Sequence, residues 1–242
     1  MTDTNKEHSP GEFNHIERNN NHHHFFKKLN NIKNPVILEL GVNKGSSTAK
    51  FLDYINTKGG ELYSIDIMDC SNITHSERFK NISTEKWNFL KSNDLDLEKI
   101  LNKFPNLKNG IDLLYVDSYH DRVHVQKIIE KWFFYINKFG YIFFDDTESC
   151  QYKKSKDYGH SINNDSIDQL VNDFHYRNYN QVVLTKYFSG SGLSELFKLS
   201  EAGTMPNFST KVWSYNKFIG LIYLFLKKII YFLKNKHNKT SI

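Results

Sequence analysis

Short apolar runs separated by helix-like stretches constrain this chain more than any other feature in it. From Pro35 onward the runs are VILEL (36–40), ELYSIDI (61–67), WNFLKS (87–92), IDLLYVD (111–117) and GYIFFDD (140–146). Runs this brief and this apolar suit strands buried on both faces of a parallel sheet. The intervening stretches have helical spacing: SSTAKFLDYINTK places Ala49, Phe51, Leu52 and Ile55 on one side, behind Ser46 and Ser47 as capping residues. DLEKILNKFP and HVQKIIEKWFFYINK supply further crossovers, the second leading into the fifth strand. SIDQLVNDFHY then reads as a helix, and QVVLTKYF and LSELFKLS as two strands joined by SGSG. The pattern predicts an α/β domain: a seven-stranded, mostly parallel sheet with helices on both faces and an antiparallel last strand.

A length of 242 residues suits one large domain with ragged ends. Residues 1–24 are polar, lack apolar periodicity and are expected to be disordered; 25–205 form the folded domain; 206–242 are a basic amphipathic tail. The run His22, His23, His24 has no cysteine or carboxylate at ligand spacing and reads as a polar tract rather than a metal site. Two cysteines, Cys70 and Cys150, make neither a disulfide framework nor a metal motif, and no secretory signal opens the chain, so a reducing, cytoplasmic location is expected. The net charge of +5 is concentrated at one end. After Glu201 there are seven lysines and no acid, while the rest of the chain is slightly acidic. That balance excludes a generally basic, nucleic-acid-binding body.

Chemistry-bearing residues gather at the strand ends. VILELGVNKGSS carries Glu39 and a turn with Gly41 and Gly45 before a helix, whose first N–H groups are free to meet a ligand. Asp66 ends the next strand about 25 residues after Gly41, where a carboxylate can accept both hydroxyls of a ribose. Ser92, Asn93 and Asp94 follow the third strand. In an open parallel sheet the carboxyl ends of adjacent strands face one crevice, so Asp117 after strand four should meet Asp145 and Asp146 after strand five. Three carboxylates at one point repel unless a cation sits among them, and hard oxygen donors favour Mg²⁺, Ca²⁺ or Mn²⁺.

The spacing E-x-G-x-x-x-G, in place of the dinucleotide G-x-G-x-x-G, resembles the first motif of class I S-adenosylmethionine-dependent methyltransferases. The resemblance implies a Rossmann-like fold, with Glu39, Gly41, Gly45, Asp66, Asn93, Asp94 and Asp117 at the cofactor. Within that class, VDSYHDRVHV through GYIFFDDT resembles the metal-assisted O-methyltransferase branch, both its small-domain family and the cephalosporin hydroxylase or rhamnosyl O-methyltransferase group. Residues 34–200 follow the pattern in order. Ser118 and Arg122 depart from it, where the small-domain family has Gly and Tyr, on the acceptor side of the site.

What the resemblance implies is methyl transfer from S-adenosyl-L-methionine to a hydroxyl of a sugar or glycan. A divalent cation, Mg²⁺ first, would sit at Asp117, Asp145 and Asp146, and His120 would be the base, three residues past Asp117. His124, one helical turn on, is expected to pack or support. Residues 147–168 read as a long polar loop that could close over the acceptor through Tyr152, Lys153, Lys154 and His160. The tail, 214–236, reads as a peripheral membrane contact or as a helix docked on the body or on a second copy in a homodimer. An Fe(II)-dependent hydroxylase and a catalytically silent adaptor on a membrane are the alternatives from other classes. The glycine turn with Asp66 weighs against the hydroxylase, which needs no ribose site.

Overall fold

A computed structural model describes residues 23–149, 158–208 and 217–239. Seven strands form one sheet: β1 (Val36–Leu40), β2 (Glu61–Asp66), β3 (Trp87–Lys91), β4 (Ile111–Val116), β5 (Ile136–Asp145), β6 (Val182–Tyr187) and β7 (Leu193–Lys198). Their spatial order is β3-β2-β1-β4-β5-β7-β6. Pairing is parallel from β3 through β5, and β7 alone runs against both its neighbours. The order reverses between β1 and β4, which opens a crevice beyond their carboxyl ends.

Side-chain alternation divides the apolar residues between two layers. Leu38, Leu40, Leu114, Val116 and Phe144 face one way and pack under α3 (Leu97–Lys103), α4 (Arg122–Trp132) and α5 (Tyr158–Arg177) through Ile100, Ile128, Trp132, Leu170 and Phe174. Ile37, Leu113, Tyr115 and Phe143 face the other way, against Phe51, Leu52 and Ile55 of α2 (Ser46–Lys58). A short helix, α1 (residues 23–29), completes that layer with Phe25 and Leu29 buried. Lys28 on α1 pairs with the buried Glu195 of β7 at 2.9 Å, and His24 stacks on Tyr187. Of residues 1–24, expected to be disordered, 23 and 24 instead open α1, where His24 has Tyr187 to stack on, and 1–22 lie outside the described residues.

Two element boundaries differ from expectation. The crossover helix into β5 stops at Trp132 instead of continuing to Lys138, because a 3-10 turn at Phe133–Tyr135 leads directly into the strand. The buried Lys198 ammonium holds that junction by donating to the carbonyls of Phe133 and Ile136, both at 2.9 Å. The polar stretch after Asp146 is also shorter than expected, since α5 begins at Tyr158 and absorbs its second half. Tertiary anchors explain this: buried Asn164 donates to the Glu148 carbonyl at 2.9 Å, and the Ser149 hydroxyl donates to Asp165. His160 thus falls in the first turns of α5, and Tyr152, Lys153 and Lys154 lie outside the described residues.

Candidate active site

The turn after β1 is shaped by two demands. Gly41 has φ +95°, and a Cβ there would stand 2.1 Å from the backbone oxygen of Asp117, so the turn passes hard against the end of β4. Gly45, at φ +71°, caps α2 and turns its Cα toward Ile73 and Phe79, away from the crevice. Ser46 and Ser47 are therefore not the caps the sequence suggests. Ser47 instead donates to Glu39 at 2.5 Å.

Glu39 is the clearest correction. It is fully buried behind the turn, where Ser47, Thr48 (2.8 Å) and Ser64 (2.6 Å) all donate to its carboxyl group. Burial pushes that carboxyl up to about 7, against the downward pull of the three hydroxyls. Its role here is to brace β1, β2 and α2 together, not to touch a ligand.

Asp66 braces the same turn from the crevice side. Its Oδ2 accepts the N–H groups of Val42 (2.8 Å) and Asn43 (3.1 Å), and its Oδ1 that of Met68 (2.8 Å). A carboxylate has about four acceptor positions, so capacity remains for a ribose hydroxyl. Asp66→Ala should weaken S-adenosylmethionine binding by about 1–3 kcal/mol, through loss of a charged acceptor and of the turn it holds. Calorimetric titration checks this, and unchanged affinity in a folded variant would remove Asp66 from the cofactor site.

The crevice is a cleft of about 930 Å³. Its walls are the glycine turn, Asp66 to Met68, Ser92 to Asp94, Asp117 to His120, and Asp145 with Asp146. That volume is at the upper end for a small-molecule site and has room for a nucleoside-sized cofactor beside a second substrate. Ile67 and Met68 stay about two-thirds exposed on its lip, 69% and 68%, an apolar shelf for a flat base. Sequence reading passed over both, although apolar residues directly after a strand-end acid are the available signal.

Asn93 and Asp94 line the cleft but are partly committed. Asn93 Oδ1 accepts the Leu95 N–H at 2.9 Å, and Asp94 accepts the Ser118 hydroxyl at 2.6 Å and faces His124 Nε2 at 2.9 Å. The supporting role expected of His124 matches this contact. Ser118 has its own function in fixing Asp94. Arg122 points away from the cleft and pairs with Asp173 of α5 at 2.9 Å, so it ties two helices and leaves the acceptor side alone.

Asp117, Asp145 and Asp146 converge as the strand order requires. Tyr115, buried on β4, was not anticipated: its hydroxyl lies 2.9 Å from Asp145 Oδ2 and 3.3 Å from Asp117 Oδ2, bridging the two strand ends. Period-two alternation puts Tyr115 on the same face as Asp117, and that was the signal to read. Burial, then the charges of Asp145, Asp146 and Glu39, pushes the Asp117 carboxyl well above the usual range. His120 Nε2 lies 3.4 Å from Asp146 and 3.6 Å from Asp117. Asp146 adopts φ 55°, a left-handed conformation of the kind that concentrates at functional sites. The donor chemistry fits a hard divalent cation. The present spacing does not form a cage for one: among the described residues no group of three or more His, Cys, Asp or Glu is arranged to hold a metal.

A parallel sheet with a ligand-sized cleft at its switch point, a pinned glycine turn and an acid after the second strand defines a cofactor-binding α/β enzyme. Residues 38–147 match the family model of a methyltransferase domain. Among solved structures, the chain resembles the MycE methyltransferase of the mycinamycin biosynthetic pathway, in complex with Mg and SAH (15% identity, TM-score 0.52, 79% of this chain and 51% of that one). It therefore spans about half the length of MycE. It also resembles the SAH-bound Podospora anserina methyltransferase PaMTH1 (14%, 0.56, 78% and 87%). An rRNA methylase from Streptococcus thermophilus is similar too (14%, 0.51, 74% and 96%). Comparison with curated protein sequences finds no match. Residues 38–147 thus resemble a methyltransferase domain, and the fold is the one that these S-adenosylmethionine-dependent methyltransferases share. Likenesses at such identities fix the fold and leave the acceptor open.

Proposed function

We propose that the protein transfers the methyl group of S-adenosylmethionine to a hydroxyl of a sugar or glycan, with a divalent cation at Asp117, Asp145 and Asp146. The observation that carries this is the convergence of those carboxylates and His120 in the wall of the cleft, with Asp117 directly beside the glycine turn. MycE, which shares the fold, is described in complex with Mg and SAH, and that pairing supports the cation.

The cofactor supplies an electrophilic methyl on a sulfonium, and a cation, when bound, lowers the pKa of an acceptor hydroxyl. The chain's own groups do the rest. The glycine turn and Asp66 would hold the cofactor, and the carboxylates, which begin beside that turn at Asp117, orient the hydroxyl. The carbon–oxygen bond forms as the carbon–sulfur bond breaks, and His120 Nε2 takes the hydroxyl proton.

The test combines titration with turnover. S-adenosylmethionine and S-adenosylhomocysteine should bind with or without Mg²⁺, while methyl transfer to a panel of sugars should require Mg²⁺ and stop in excess chelator. Full turnover in chelator would remove the cation, and transfer confined to non-hydroxyl acceptors would overturn the proposal.

A further inference from the structure

The last described element, α6 (Lys217–Lys239), is left largely uncovered by the fold. Among its described side chains a narrow stripe is covered: Gly220 is buried and Leu224 and Lys227 are half-buried, one helical turn apart, and the helix contacts α5. On the other sides Phe218, Phe225 and Phe232 are 68%, 65% and 69% exposed, and Ile222 and Ile229 between them are exposed as well. Ile219, Leu221, Tyr223, Leu226 and Ile230 are exposed too, and at 3.6 residues per turn the whole set spans an arc of roughly 200°, too wide for a single helix–helix seam. An apolar surface this continuous marks an interaction site.

Charge selects the occupant. From Ala202 to the end of the chain there are seven lysines and no acid. A second copy of the tail would bring lysine against lysine along the contact, whereas an anionic lipid surface complements both the lysines and the apolar arc. The geometry also decides between lying on a membrane and crossing it. The apolar stretch 218–233 is about 24 Å long at 1.5 Å per residue, shorter than the roughly 30 Å hydrocarbon core, and Lys227 and Lys228 interrupt it. Among the described residues no helix is long and apolar enough to cross a membrane.

We propose that α6 lies in the plane of an anionic lipid surface, with its phenylalanines in the acyl boundary and Lys228 at the headgroups, and so holds the folded domain at that surface. The proposal is independent of the acceptor. Co-sedimentation of the full chain with phosphatidylcholine vesicles, alone or with about 30% phosphatidylglycerol, tests it. Binding to the anionic vesicles should be at least about tenfold tighter and should weaken as salt rises from about 0.1 to 0.5 M, since only the lysine contribution is screened. Phe225→Ser with Phe232→Ser should abolish sedimentation at every salt concentration, and Lys228→Glu should weaken the preference for anionic lipid. Both variants should keep the S-adenosylmethionine affinity of the parent, which shows that the body is folded. Failure of the parent to bind, equal binding to the two vesicle types, or undiminished binding by the double serine variant would each overturn the proposal. So would a dimer that the serine variant splits in the absence of vesicle binding, because α6 would then be covered by a second copy.

Discussion

Substituting His120 by Ala is expected to lower turnover by about 10² to 10⁴, the range a general base contributes, while leaving the dissociation constant for S-adenosylmethionine within a few-fold of the parent. The separation of the two effects follows from position. His120 stands on the segment between β4 and α4, 3.4 Å from Asp146 and 3.6 Å from Asp117, in the carboxylate wall of the cleft. In the proposed mechanism a residue there meets the acceptor hydroxyl. His120 must be neutral to accept the proton, so the pH dependence of turnover should lose its acid-side limb as well as its height. Turnover within about threefold of the parent would exclude His120 as the base. A loss of cofactor affinity equal to the loss of rate would make it a structural residue of the loop.

Much of the fold was legible because strand burial follows directly from composition. Each of the seven apolar runs became a strand, and α2 covers the stretch its spacing picks out, although Gly45 caps it in place of the serines, because those choices rest on local periodicity. The misread boundaries rest on contacts between distant residues. Nothing near Asn164 says that its amide will reach the carbonyl of Glu148 and start a helix there, and nothing near Phe133 announces the ammonium of Lys198 beneath it.

The site was legible in outline for a similar reason. Topology brings the ends of β1, β2, β4 and β5 to one crevice whatever the loops do, so Gly41, Asp66, Asp117, Asp145 and Asp146 had to gather. Orientation is a different matter. Glu39 and Asp66 are both strand-end acids near the same turn, yet one faces the interior and the other the cleft. The register supplies the distinction: Glu39 lies opposite Ser64 on β2, and with Ser47 and Thr48 one turn into α2 it finds three hydroxyls and no solvent. A motif match carries no such information. Gly45 is the companion case, required by its left-handed backbone and by Ile73 and Phe79 rather than by a ligand.

That buried acid should make stability depend on pH in a direction opposite to the usual carboxylate. In the unfolded chain Glu39 titrates near its ordinary 4.5, and in the folded chain burial holds it up to about 7. Between those values the folded state carries the extra proton, so stability is fully present below the lower value and is lost as pH rises through the upper one, levelling above it. The loss from this group alone is about 3 kcal/mol, since each pKa unit corresponds to about 1.4 kcal/mol. Glu39→Gln keeps the shape and an acceptor oxygen, the three hydroxyls can rotate to accept from its amide, and it has no proton to lose. Urea unfolding of both proteins at pH 5 and pH 8 isolates the effect, because groups that do not feel Glu39 cancel in the comparison, and the part of the Asp117 shift owed to the Glu39 charge acts in the same direction. The variant should gain about 3 kcal/mol on the parent between the two pH values, with the parent the more pH-sensitive protein. Parallel profiles would mean that Glu39 is charged throughout and that the three hydroxyls outweigh its burial.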